Sequence, residues 1–237
     1  MLEKSITSIA HNSGQSVFQT FSDFLDYTIG YFGVGKNAVK DWKYTKQQNK
    51  MFYDALCTLI KDDYKPNIDM RGWCDPLGDS FMNLSSKMDV SNKGQFFTPE
   101  GVCDLMARTT LKGRMPEGQM TSFGRRAVAN DCSCGSARNL LALHSRAMNE
   151  LKWPKKMYLV GEDIDSTCVK MSAINMAIHG CYGEVVCHDT LTNPTGILFG
   201  YVVNETMWPL PCCLPSIRYS ENPSDFYICG YKRNIDK

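Results

Sequence analysis

Beyond Gly94 the chain alternates short apolar runs with helical stretches, and three of its four apolar runs lead into an aspartate. The runs are Ala127 to Asp131, Met157 to Val160 leading into Gly161-Glu162-Asp163, Val185 to Cys187 leading into His188-Asp189, and Phe199 to Val203. Between the first two, Leu140, Leu141, Leu143, Ala147 and Leu151 place a helix from Ala137 to about Leu151, stopped by Trp153-Pro154. Ser166 caps a second helix through Met171, Ile174 and Ile178, and Gly180 stands where a left-handed C-terminal residue belongs. Strands alternating with helices predict an α/β fold with a parallel sheet. Ligands of such sheets sit at the carboxyl ends of the strands, where Asp131, Asp163 and Asp189 would converge.

The loop Asp131-Cys132-Ser133-Cys134-Gly135-Ser136 joins the first strand to its helix. Gly135 lets a ligand approach the backbone, and the helix start behind it offers unpaired N–H groups suited to a carboxylate or phosphate. With one glycine in the loop, an ordinary strand-to-helix turn explains this segment equally well. A carboxylate at Asp163 could accept from two ribose hydroxyls, each bond to a charged group contributing about 1.5–3 kcal/mol. Glu162 and Asp165 lie close enough to leave that assignment open by one or two positions. Asp189 could accept from an adenine amino group. The three acids beside one glycine turn describe a nucleoside site with an attached anion.

The N-terminal third is helical by pattern. Val17, Phe18, Phe21, Phe24 and Leu25 share one face, a second helix covers Thr45 to Asp62 with Pro66 ending the run, and Asp75-Pro76 opens a third from Ser80 to Met88. This divides the chain into an N-terminal helical domain, 1–90, and a second domain, 91–237. With 26 Lys+Arg against 25 Asp+Glu, the net charge of +1 lacks the positive field of a non-specific nucleic-acid binder. The 11 cysteines form no CxxC pair and several sit in apolar segments, so they read as reduced buried thiols of a cytoplasmic protein, with no metal site. No run reaches the roughly 18 apolar residues of a membrane-spanning helix.

Gly94-Gln95-Phe96-Phe97-Thr98-Pro99 resembles the GQ[FY][FY]TP box of the gamma-class N6-adenine DNA methyltransferases, which include type I restriction modification subunits and phage enzymes. Asp131 to Ala137 resembles their DPxCGSG box, Gly161 to Asp165 their ribose segment, and His188-Asp189-Thr190-Leu191 their GD[ST]L segment, in the same order over about residues 75 to 205. The resemblance implies a Rossmann-like S-adenosylmethionine-dependent methyltransferase sheet, shortened at its C-terminal end. It also implies the cofactor S-adenosyl-L-methionine. Phe97, Thr98, Pro99, Asp131, Ser133, Gly135 and Ser136 would hold the methionine end, Asp163 and Ile164 the ribose and its neighbourhood, and Asp189 and Thr190 the adenine. Cys132 stands where the family has Pro, and Ala137 where it has a last Gly.

The family's catalytic box, Asn-Pro-Pro-[FYW], follows the fourth strand. Its Asn oxygen and a backbone carbonyl draw on the two N–H groups of the target amine and build electron density on nitrogen as the methyl arrives. Its aromatic residue stacks on the flipped base. Here Asn204-Glu205-Thr206-Met207-Trp208 occupies that place, so the resemblance implies Asn204 as acceptor with Glu205 or Trp208 assisting. Asn193-Pro194, before the fourth strand, reads as a turn. Ser216 to Tyr219 and Phe226 to Tyr231 could each form a strand. The tail leaves no room for a target-recognition region, so DNA would need a partner subunit or a dimer. Two functions follow: an adenine-N6 DNA methyltransferase of restriction–modification or mobile-element type, or a cofactor-binding relative that no longer transfers methyl groups and acts as a regulatory or decoy module. Methylation of a small or protein substrate is a third.

Overall fold

The computed structural model describes residues 2–34, 44–86, 96–113, 128–153, 157–192, 196–204 and 215–228. The N-terminal helices form because their apolar residues recur once per turn. Helix α1 (Leu2–Ser13) buries Leu2, Ile6, Ile9 and Ala10. Helix α2 (Val17–Tyr31) starts at Ser16, whose side chain accepts from the Gln19 amide at 3.1 Å, and buries Phe21, Phe24 and Leu25. Helix α3 (Lys46–Thr58) opens on a capping box between Thr45 and Gln48.

Pro66 does not end this run. The chain passes through a wide π turn, Leu59–Tyr64, and continues as α4 (Lys65–Arg71) with Pro66 in its first turn. The wider turn is where the helical ladder absorbs the missing proline N–H. Gly72, at φ +86°, closes the helix instead. Helix α5 (Pro76–Ser86) begins earlier than the expected Ser80, because the Asp75 carboxylate accepts from the Gly78 amide at 2.8 Å.

Helix α6 (Glu100–Thr110) leads to a five-stranded sheet in the order β1-β2-β3-β4-β5. The strands are β1 (Val128–Asp131), β2 (Tyr158–Asp163), β3 (Tyr182–Cys187), β4 (Phe199–Val203) and β5 (Ile217–Ser220). Helix α7 (Arg138–Ser145), extended by a π turn to Glu150, joins β1 to β2, and α8 (Ser166–Ile178) joins β2 to β3. Asp165, not Ser166, caps α8, accepting from the Thr167 amide at 2.7 Å.

The sheet is mixed, not parallel. Strands β1, β2 and β3 run together, whereas β4 is antiparallel to β3 and β5 to β4. Phe199 pairs with Cys187 and Val203 with Gly183, so β4 starts at the carboxyl end of β3 and finishes at its amino end. This reversal decides where Asn204 lies.

Both crossover helices pack on one face of the sheet, and the N-terminal helices add to the same core, which runs from Leu2 and Phe24 to Leu159, Val185 and Ile217. Polar links also tie the helices to α8, among them Lys170 to Asp26 at 2.6 Å, Tyr64 Oη to Asn175 Oδ1 at 2.5 Å, and the Cys74 amide to His179 Nε2 at 3.1 Å. The opposite face carries Tyr158, Val160, Val186 and Val202, covered by Phe226 and Ile228. Phe226 follows a short 3₁₀ turn, and the Tyr227 and Ile228 amides donate to the buried Glu184 carboxylate at 2.8 and 2.9 Å. Those amides therefore take a side-chain acceptor where a strand there would need a ladder. Residues 229–231 of the expected last strand lie outside the described residues.

Candidate functional site

At the carboxyl ends of β1 and β2 the loop 131–136 folds over Asp163. The Asp163 carboxylate accepts from the Gly135 amide at 2.9 Å and from the Asp165 amide at 2.8 Å. Burial pushes its carboxyl above the ordinary range, against the pull of those two amides. Gly135 has φ +55°, and a Cβ there would lie 2.9 Å from the Phe97 ring. Only glycine meets both conditions, the left-handed backbone and the ring beneath it.

Phe97 is itself fixed from two sides: the Phe81 ring lies 5.9 Å away and the Arg138 guanidinium stands 5.6 Å over its face. The Thr98 carbonyl accepts from Arg138 Nη1 at 3.3 Å, and the Pro99 carbonyl accepts from the Val102 amide at 2.9 Å as α6 begins. Gly94 and Gln95 lie outside the described residues. Phe96, Phe97, Thr98, Ser133, Cys134, Gly135, Ser136 and Asp163 line one cavity of about 220 Å³, together with Arg138, Asn139 and Cys168. Burial raises the Cys134 and Cys168 thiols far above their usual range, so they stay protonated.

Behind the loop lies a buried polar cluster that the sequence reading missed. Asp75 Oδ2 accepts from Ser136 Oγ at 2.5 Å and Arg138 Nε at 2.6 Å, and its Oδ1 from the Gly78 amide at 2.8 Å and Asn175 Nδ2 at 2.7 Å. Burial pushes the Asp75 carboxyl up, but four donors on its two oxygens hold the ionised form. Arg138 also bonds Asp79 at 2.5 Å, and Asn175 Nδ2 reaches the Ser136 carbonyl at 2.8 Å. Partners this far apart in sequence leave no periodic trace. The one available hint was Asp75 itself, an acid ahead of a proline-opened helix.

Asp131 ends β1, with Oδ1 accepting from the Ser133 amide and Oδ2 from Asn139 Nδ2, both at 3.2 Å. Ile164 is 69% exposed at the rim. Asp189 turns back on its own loop: Oδ1 accepts from the Leu191 and Thr192 amides at 3.0 Å each, and Oδ2 from the Thr192 hydroxyl. Those bonds, that of the hydroxyl first, hold its carboxyl below the ordinary range. Thr190 Oγ1 lies between the Cys132 carbonyl at 3.4 Å and Glu162 Oε2 at 3.2 Å, tying the loop after β3 to the loop after β1. Glu162, which the sequence left as an alternative to Asp163, points to the other face and pairs with His188 and Asn130 there.

Asn204 does not join this site. Because β4 runs backwards, Asn204 lies at the amino end of β3, remote from the loops that follow β1 and β2. It is 2% exposed, with Nδ2 donating to the Ala177 and Cys181 carbonyls at 3.1 and 2.7 Å and Oδ1 accepting from the Ser216 amide at 3.0 Å. The assignment of Asn204 as acceptor for a target amine is corrected accordingly: its carboxamide closes the β4–β5 hairpin against α8. Glu205 and Trp208 lie outside the described residues, as does the Asn193-Pro194 turn.

The family model for N-6 DNA Methylase matches residues 75–208. No curated protein matches the chain. A Listeria monocytogenes protein assigned to the class I S-adenosylmethionine-dependent methyltransferases superposes with a TM-score of 0.49 at 10% identity, covering 81% of this chain and 52% of that one. A type I restriction-modification system methyltransferase subunit from Streptococcus thermophilus gives a TM-score of 0.38 at 18% identity, covering 81% and 42%. The chain spans about half the length of these structures or less.

Proposed function

Since the chain belongs to the N-6 DNA methylase family, we propose that its cavity binds S-adenosyl-L-methionine for methylation of adenine N6 in DNA. The observation that carries this reading is the Asp163 carboxylate held by the Gly135 amide, over a cavity floored by Phe97, at the carboxyl ends of parallel strands. The group, when bound, supplies an electrophilic methyl on a sulfonium. The residues fit it. Phe97, Thr98, Ser133, Gly135 and Ser136 surround the amino-acid end, with Pro99 behind them at the start of α6, and the lone pairs of Asp163 not used by backbone amides accept ribose hydroxyls. Ile164 offers an exposed apolar side to the adenine, and Asp189 Oδ2 retains a lone pair for its amino group. At about 220 Å³ the cavity is smaller than the roughly 300–1,000 Å³ of a ligand-sized pocket, so the nucleoside lies along this open rim.

The acceptor amine has to be polarised by residues other than Asn204, whose three polar contacts are all spent on backbone groups. We therefore place DNA recognition, and at least part of the acceptor site, with a partner subunit or a second copy, in a cytoplasmic restriction–modification or mobile-element setting. The position of Asn204 also favours a second reading, a cofactor-binding relative that does not transfer methyl groups and acts as a regulatory or decoy module. Isothermal calorimetry with S-adenosylmethionine, followed by labelled methyl transfer to adenine-containing DNA, separates the two. Binding with transfer supports the first reading, and binding without transfer, alone and with candidate partners, supports the second. No binding sinks both.

A further inference from the structure

Asn139 has no role in the reading above, yet it lines the same cavity. Its Nδ2 donates to Asp131 Oδ2 at 3.2 Å. A carboxylate only accepts, so the nitrogen of the carboxamide must face Asp131 and the oxygen must face away. That oxygen is shielded from water and accepts no hydrogen bond. An unsatisfied buried acceptor costs about 1–3 kcal/mol, a standing penalty that a ligand donor relieves. The neighbouring donors are committed: Arg138 to Asp75, Asp79 and the Thr98 carbonyl, and the Ser136 hydroxyl to Asp75. Beside it, no Lys or Arg among the described residues pairs with the Asp131 carboxylate.

We propose that Asn139 is a specificity residue for the amino-acid end of the ligand, its Oδ1 accepting an N–H of the α-ammonium while Asp131 supplies the opposing charge. A primary ammonium matches the pair because it carries several N–H donors and a positive charge on one atom. A hydroxyl satisfies the orphan oxygen but leaves the carboxylate uncompensated, and an apolar group satisfies neither. This rests on the reading of the cavity as an S-adenosylmethionine site.

The test is calorimetry with two ligands, S-adenosylmethionine and 5′-methylthioadenosine, which shares the nucleoside and lacks the amino-acid end. Asn139→Leu weakens S-adenosylmethionine about tenfold, a loss of about 1.4 kcal/mol, and leaves 5′-methylthioadenosine within about twofold. Should the leucine variant fail to fold, the wild-type protein decides with the S-adenosylmethionine analogue bearing a hydroxyl in place of the α-amino group, expected to bind at least about tenfold more weakly. Equal losses on both ligands, no loss on either, or an analogue that binds as well as the parent overturns the proposal. If the wild type binds 5′-methylthioadenosine but gains nothing from the amino-acid end, Asn139 is refuted while the nucleoside site stands. If it binds neither ligand, the cofactor reading falls and takes this proposal with it.

Discussion

The two ends of the sheet use their polar side chains in opposite ways. At the carboxyl end of β1 and β2, Asp163 and Asn139 line a cavity with hydrogen-bonding capacity left over, Asp131 accepts from Asn139 beside them, and a second layer built on Asp75 holds the loop in place. At the other end Asn204 has both polar atoms saturated by backbone groups of α8, the turn before β3 and the approach to β5. Capacity left open against a cavity is the mark of a binding site, whereas saturation in a dry interior is the mark of a staple. The same residue type, asparagine, therefore carries opposite meaning at positions 139 and 204.

The sharpest way to break this contrast is Asp75→Ala. It leaves the Arg138 charge and the Asn175 and Ser136 groups without their shared acceptor in a buried setting, an expected loss of about 3–5 kcal/mol. Because Ser136 and Arg138 line the cavity, ligand affinity should fall with stability. Denaturant unfolding with and without ligand checks both; unchanged affinity in a folded variant would detach the cluster from the site. Asn204→Ala is the counterpart. It strands two carbonyls and one amide and places a Cβ-bearing residue without a polar side chain at φ +54°, costing about 3 kcal/mol. Ligand affinity should stay within about twofold. A selective loss of methyl transfer in a stable Asn204→Ala protein would restore the catalytic role that its position denies.

The interior strand segments and the three acids were legible because a short continuous apolar run, buried on both faces, and an acid at its end are local signals. The direction of β4 was not read, although a signal existed. Residues 188 to 198 separate β3 from β4, and that span has no helical pattern and is shorter than the dozen or more residues a parallel crossover needs. The self-capping of Asp189 was equally local, an acid three residues before Thr192. The Asp75–Arg138 pair could not be read, because a buried charge pair between residues this distant follows from how the start of α7 meets the segment that opens α5 and from no spacing rule.

Acid should loosen the far end first. His179 closes α8, with Nδ1 donating to the Asn175 carbonyl at 2.7 Å and Nε2 accepting from the Cys74 amide, so its ring is neutral. Burial lowers it to about 4 from 6.5. The stability it contributes is complete above pH 6.5 and is lost as pH falls towards 4, amounting to about 2 kcal/mol between pH 6.5 and 5. Asp63 and Asp75, both raised by burial, act with the opposite sign, so the comparison must be wild type against His179→Gln. The difference in unfolding free energy should shrink across that window; a constant difference would show that His179 titrates normally.

The smallest effect is expected at Ala137, the departure from the family's glycine loop. It holds φ +76° at the start of α7, fully buried, with its amide donating to the Cys134 carbonyl at 2.8 Å and its carbonyl accepting from the Leu141 amide at 2.9 Å. A left-handed alanine carries a strain of about 1–2 kcal/mol. Replacing it by glycine relieves that strain but gives up a buried methyl worth about 0.8 kcal/mol and adds about 0.5–1 kcal/mol of chain entropy to the unfolded state. These terms nearly cancel, so Ala137→Gly should shift stability by less than about 1 kcal/mol in denaturant unfolding. Neighbouring Gly135 shows why the two positions are not equivalent: a Cβ there meets the Phe97 ring, whereas the Cβ of Ala137 is already housed in the core. A loss above about 2 kcal/mol in Ala137→Gly would mean that this methyl is a packing requirement of the loop and that the chain has refitted its cofactor turn around it.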